Sequence, residues 1–98
     1  ARAEQVYNAV TGFGTDEEGL FDAISNLNKD EIELLTAEYQ KKYQTDLTSR
    51  IRGELSGIDL EIANTYLSGE VNEQGNNTKA IALRLARAME SWGTRAES

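Results

Sequence analysis

The sequence predicts an all-α fold of one domain, and three observations carry that prediction. Proline is absent from the 98 residues, apolar side chains recur at helical spacing, and capping residues stand ahead of several apolar runs. A chain of this length supports one modest hydrophobic core and not two.

Val6, Tyr7, Ala9 and Val10 mark a first helix over about residues 3–11, ended by Gly12 and Gly14. Thr15 followed by Glu18 has the pattern of a capping box and opens a second helix, whose buried side is Leu20, Phe21 and Ile24. Asn28 with Glu31 repeats the pattern for a third helix reaching about Tyr43, with Ile32, Leu35, Tyr39 and Tyr43 on one face. Thr45 or Asp46 caps a fourth helix carrying Leu47, Ile51 and Leu55. Ser56 and Gly57 interrupt it, and a fifth from about Ile58 to Leu67 turns Ile58, Ile62 and Tyr66 inward. Residues 68–77, SGEVNEQGNN, have the composition of a solvated linker. Ile81, Leu85, Ala88, Met89 and Trp92 then mark a sixth helix.

The end of that helix resembles the end of the first. AVTGFGT at residues 9–15 aligns with AMESWGT at residues 88–94, an offset of 79, so a partial internal repeat is present.

Charge and composition narrow the chemistry. A net charge of −7 argues against direct attraction to nucleic acid or to a bare anionic membrane. Cysteine and histidine are both absent, which removes thiolate and imidazole metal sites, cysteine nucleophiles and histidine bases. What remains is oxygen chemistry, suited to hard cations such as Ca²⁺. No apolar run approaches the length of a membrane span, and the opening residues do not have the pattern of a signal peptide.

Residues 12–19, GFGTDEEG, concentrate that oxygen chemistry. A helix C-terminus leaves its last carbonyls without amide partners and carries partial negative charge. Glycines that accept positive φ let the chain fold back and aim several carbonyls at one point, which attracts a hard cation. Ca²⁺ takes six to eight oxygens and usually at least one carboxylate. Asp16, Glu17 and Glu18 are the local acids, but acids in a helix's first turn also complement its dipole by ~0.3–1 kcal/mol each. Spacing alone does not nominate a distant acid.

GFGTDE, preceded by AEQVYNAV and followed much later by RGELSG, resembles an annexin repeat over about residues 3–67, and YQKKYQTDL resembles the family's helix-to-helix turn. Glu54 lies 39 residues after Thr15, the separation at which the family places its partner acid. The resemblance implies a five-helix repeat in a right-handed superhelical arrangement over residues 1–67, a linker at 68–77, and a C-terminal helix at 78–98 like the start of a second repeat. It implies that the carbonyls of Val10, Gly12 and Gly14 and a bidentate Glu54 carboxylate hold Ca²⁺, with water or a lipid phosphoryl oxygen completing the shell. It implies an accessory site at the Thr15 carbonyl and the Glu17 side chain, and contact of Phe13 with lipid. The function so implied is calcium-dependent binding to acidic phospholipid membranes, with no nucleic-acid partner and a cytoplasmic or peripheral-membrane location. A lone repeat is expected to dimerise or to belong to a longer multi-repeat chain.

The sequence also departs from the family pattern. Leu27 stands where the family often has arginine. In the second loop copy Glu90 and Ser91 replace a basic residue and a glycine, while Arg95 and Ala96 replace acids. That copy is expected to bind no calcium by the same scheme, since Arg95 would repel a cation. The alternative function is a helical structural or protein-interaction module whose calcium binding is weak or lost. Catalysis is not expected: Glu17 with Glu18, and Glu31 with Glu33, read as solvated helix faces and not as acid/base pairs.

Overall fold

The computed structural model describes residues 2–11 and 14–96, with side chains as far as Glu90. Among these residues there are six α-helices and no strand: α1 (Arg2–Val10), α2 (Glu17–Ile24), α3 (Lys29–Tyr43), α4 (Leu47–Glu54), α5 (Gly57–Leu67) and α6 (Thr78–Ala96). The all-α fold expected from the periodicity is the one found.

Local chemistry explains most of the boundaries. Asn28 accepts from the Glu31 amide at 2.8 Å while the Glu31 carboxylate accepts from the Asn28 amide at 2.9 Å, so the predicted capping box of α3 is formed. Gln44 ends the same helix in the left-handed region at φ 52°, with its N–H donating to the Gln40 carbonyl. Asp46 caps α4 by accepting from the Ser49 amide at 2.9 Å. The hydrogen bonds from Ser49 hold the Asp46 carboxyl below its ordinary pKa.

The predicted Thr15–Glu18 capping box of α2 is not formed. Asp16 is the N-cap and accepts from the Gly19 amide at 3.0 Å. Thr15 is one residue too early, and its hydroxyl donates instead to Glu54. Glu18 is drawn away from the helix start to Arg84 and Arg87 of α6. A short aspartate reaches the third amide as well as a threonine does, and long-range partners claimed the other two residues.

The core lies between α1, α2, α4 and α5, with α3 closing one side through Leu35 and Tyr39. Val6, Leu20, Phe21, Ile24, Leu47, Ile51 and Ile62 are fully buried. Tyr7 and Tyr43 stack with ring centroids 4.1 Å apart and an interplanar angle of 6°, which fastens α1 to the end of α3. Burial pushes the neighbouring Tyr39 phenol up, partly offset by the Arg50 charge.

Residues 68–77 are exposed or half-buried except at Gly69 and Asn77, which anchor the two ends of the segment. Gly69 is buried at φ 72°, and a Cβ there would stand 2.7 Å from the backbone of Lys29, so only glycine allows the approach. Asn77 is 2% exposed. Its amide donates to Asn26 Oδ1, its side chain donates to the Thr65 carbonyl, and its Oδ1 accepts from the Ala80 amide to start α6.

α6 packs on α5, and the face it uses is not its apolar one. Ala80, Leu83, Arg84 and Arg87 turn inward, whereas Ile81, Leu85 and Met89 are 44%, 60% and 58% exposed. Arg84 pairs with Glu18 and Asp22, and Arg87 with Glu18 and Asp59. Both guanidinium groups lie over the Phe21 ring, at 5.4 and 5.8 Å from its centroid. Burial works against the Arg84 charge, but hydrogen bonds to the Tyr66 hydroxyl and Glu18 outweigh it and raise its pKa. The helix continues through residues 91–96, so the second copy of the glycine-threonine segment forms no loop.

Candidate cation site

The end of α1 and the end of α4 meet at one corner of the domain. Thr11 continues the turn, donating its amide to the Tyr7 carbonyl at 3.1 Å and its hydroxyl to the same carbonyl at 2.7 Å. The chain returns at Asp16, whose amide donates to the Ala9 carbonyl at 2.8 Å. That hydrogen bond brings the segment ahead of α2 back against the end of α1. Gly14 lies in that segment at φ 72°, exposed, the conformation for which glycine was read at this position.

Val10 is buried as a side chain, while its carbonyl accepts from Arg50 Nη2 at 2.9 Å. Glu54 is the last residue of α4. Its Oε1 accepts from the Thr15 hydroxyl at 2.8 Å, and its Oε2 lies 3.5 Å from Arg50 Nη1. The carbonyl of Val10, the side chain of Thr15 and the carboxylate of Glu54 are therefore joined in one network across 39 to 40 positions of sequence. Glu17 stands at the start of α2, half-buried, two residues beyond Thr15. Gly12 and Phe13 lie outside the described residues.

The donors present are hard oxygens. Among the described residues no three carboxylates gather at one point, and Glu54 is the carboxylate joined to this network. The fit to a cation is visible directly: a guanidinium already binds the Val10 carbonyl and the Glu54 carboxylate together. Asp16 and Glu18, the most conspicuous acids in the sequence, serve elsewhere, one as a helix cap and one as a partner of α6.

Sequence reasoning reaches Arg50 as a helical neighbour of Glu54 and no further. Its i,i+4 relation to Glu54 is legible in the sequence. Its bond to Val10 is not, because 40 residues separate the two and only the packing of α4 beside α1 brings them together.

Fold and site define a small all-α domain in which the last carbonyl of α1 and a carboxylate at the end of α4 meet at one corner. Comparison with known proteins agrees: the annexin family model matches residues 1–61, and the chain belongs to the annexin family. It is similar to annexin A13 of Mus musculus, 32% identical over 92 residues that cover 94% of this chain and 27% of that protein. It is also similar to annexin A7 of Homo sapiens, 36% identical over 55 residues, covering 56% and 11%, respectively. With annexin A6 of Rattus norvegicus the identity is 36% over 67 residues, covering 68% and 10%. The chain thus spans only 10% to 27% of the length of these relatives.

Proposed function

We propose that this domain binds Ca²⁺ and, through it, acidic phospholipid surfaces, acting as a binding module and not as an enzyme. The observation that supports the reading most is the convergence of the Val10 carbonyl and the Glu54 carboxylate on one positive group. The carbonyls of Val10, Gly12 and Gly14 and the carboxylate of Glu54 are the proposed ligands of the main site. The Thr15 carbonyl and Glu17 are those of an accessory site. When bound, Ca²⁺ supplies the positive charge that lets a chain of net charge −7 meet an anionic surface.

The chain's own residues prepare this function. The Ala9–Asp16 hydrogen bond brings the segment ahead of α2 back against the end of α1, and Thr15 fixes the Glu54 carboxylate beside it, so two of the proposed donors are already oriented. Phe13 is the proposed contact with the lipid interface. No helix among the described residues is long and apolar enough to cross a membrane. A single site gives a modest contact, and linked or paired copies would add avidity.

A second reading is a helical interaction module with weak calcium binding. It draws on α6, which runs straight through the second copy of the loop segment. Calorimetric titration of the wild type and of Glu54→Gln separates the two readings. Saturable heat in the wild type is expected, weakened at least ~10-fold in the variant, which loses its charged ligand. Pelleting with phosphatidylserine vesicles should require Ca²⁺. Identical flat traces, or pelleting that persists in chelator, would leave the interaction module as the better reading.

A further inference from the structure

Arg50 touches both halves of the proposed calcium site through the atoms proposed as ligands. Nη2 donates to the Val10 carbonyl at 2.9 Å, and Nη1 faces Glu54 Oε2 at 3.5 Å. The Arg50 side chain is 36% exposed and that of Glu54 27%, so the contact sits at the rim of the domain, where an ion from solution can reach it. An i,i+4 pair on a helix surface stabilises by only ~0.2–0.5 kcal/mol and does not require a carbonyl from another helix. Here the guanidinium does more than pair along α4, because it ties α4 to the last turn of α1.

A guanidinium is a permanent cation carried by the chain. It occupies one acceptor direction of the Val10 carbonyl and stands beside the Glu54 carboxylate, and a metal ion held by the same two groups would be repelled by it at such close range. We propose that Arg50 is an intramolecular competitor for the calcium position, holding the loop carbonyl and the helix carboxylate together and swinging out when they bind Ca²⁺. This rests on the calcium-binding reading given above. Two further features fit it. Glu54 divides its oxygens, Oε1 to Thr15 and Oε2 to Arg50, so the carboxylate stays tethered beside the loop when the arginine leaves. Arg50 borders an open groove that also carries Lys42, so its side chain, already 36% exposed, would leave toward solvent at the rim and not toward that second cation.

The arithmetic is that of a binding-competent minority. If Arg50 stands clear of the ligands one tenth of the time, the apparent affinity is lowered ~10-fold relative to the unobstructed site. Removing the guanidinium should therefore tighten calcium binding, although it removes a native contact. An ordinary structural residue would do the reverse or nothing.

The test is calcium titration by calorimetry of the 98-residue chain as wild type, Arg50→Gln and Glu54→Gln, with melting curves in chelator and the wild-type Arg50 Nε–H signal followed by NMR. Arg50→Gln is expected to bind Ca²⁺ ~10-fold more tightly and to melt at lower temperature in chelator. The Arg50 signal should move on calcium saturation. Binding by Arg50→Gln where the wild type shows none would support the competitor in its strongest form. Equal or weaker binding by Arg50→Gln, with Glu54→Gln impaired, overturns the competitor while calcium binding stands. If no variant binds, Arg50→Gln included, both ideas fall. Should Arg50→Gln not fold, the wild-type signal decides: a resonance unmoved at saturation overturns the proposal.

Discussion

α1 and α6 carry related sequences, yet they meet the rest of the molecule through opposite faces. Ala3, Val6, Ala9 and Val10 are the buried side of α1. Shifted by the repeat offset of 79, the same positions in α6 are Ala82, Leu85, Ala88 and Met89, and all four are exposed. α1 is surrounded by α2, α3 and α4, which together accept its apolar stripe. α6 has α5 to lie on, and it does so through arginines that reach acids on α2 and α5. The difference teaches that an apolar stripe identifies a helix and its potential inner face. Whether that face is buried depends on which neighbours are present.

The sharpest way to break this comparison is to place the same charge at equivalent positions. Val6→Asp should cost at least ~3 kcal/mol or prevent folding, since it leaves an unpaired carboxylate in the core. Leu85→Asp should stay within ~0.5 kcal/mol in the same urea titration. A large loss at Leu85 would mean that the outer face of α6 is covered in solution, and the two helices would then be alike after all.

The anchor of α6 offers a smaller effect. Asn77→Ala removes the helix cap and one of two side-chain donors to the Thr65 carbonyl, which keeps the Ser68 hydroxyl. A loss of ~1–3 kcal/mol is expected, with faster amide exchange in α6 and little change in α1. Smaller still is the response to salt. The pairs of Arg84 and Arg87 with Glu18, Asp22 and Asp59 are partly exposed, so molar salt should weaken the hold on α6 by up to ~1 kcal/mol. α1 packs through apolar contacts, and its amide protection should not fall. Equal loosening of both helices would show that charge is not what holds α6 down.

Much of the architecture was legible because its signals are local. Asn28 and Glu31 lie three residues apart and satisfy each other's helix-end amides, so their pairing is written in their spacing. The same reasoning failed at Thr15 and Glu18, where each side chain found a stronger partner far along the chain. The candidate site was reached by resemblance, which singled out Glu54 where composition pointed to the acids of the loop. Its network with Thr15, Val10 and Arg50 required the packed structure.

Proline absence, apolar period and capping residues were enough to determine six helices and their order, because helix formation depends on contacts within a turn or two. The orientation of α6, the burial of Gly69 and Asn77, and the guanidinium shared between Val10 and Glu54 were decided by tertiary packing. Each depends on which surfaces come within a few ångströms after the chain has folded back, and hydrogen bonds and ion pairs at that range carry no sequence spacing of their own.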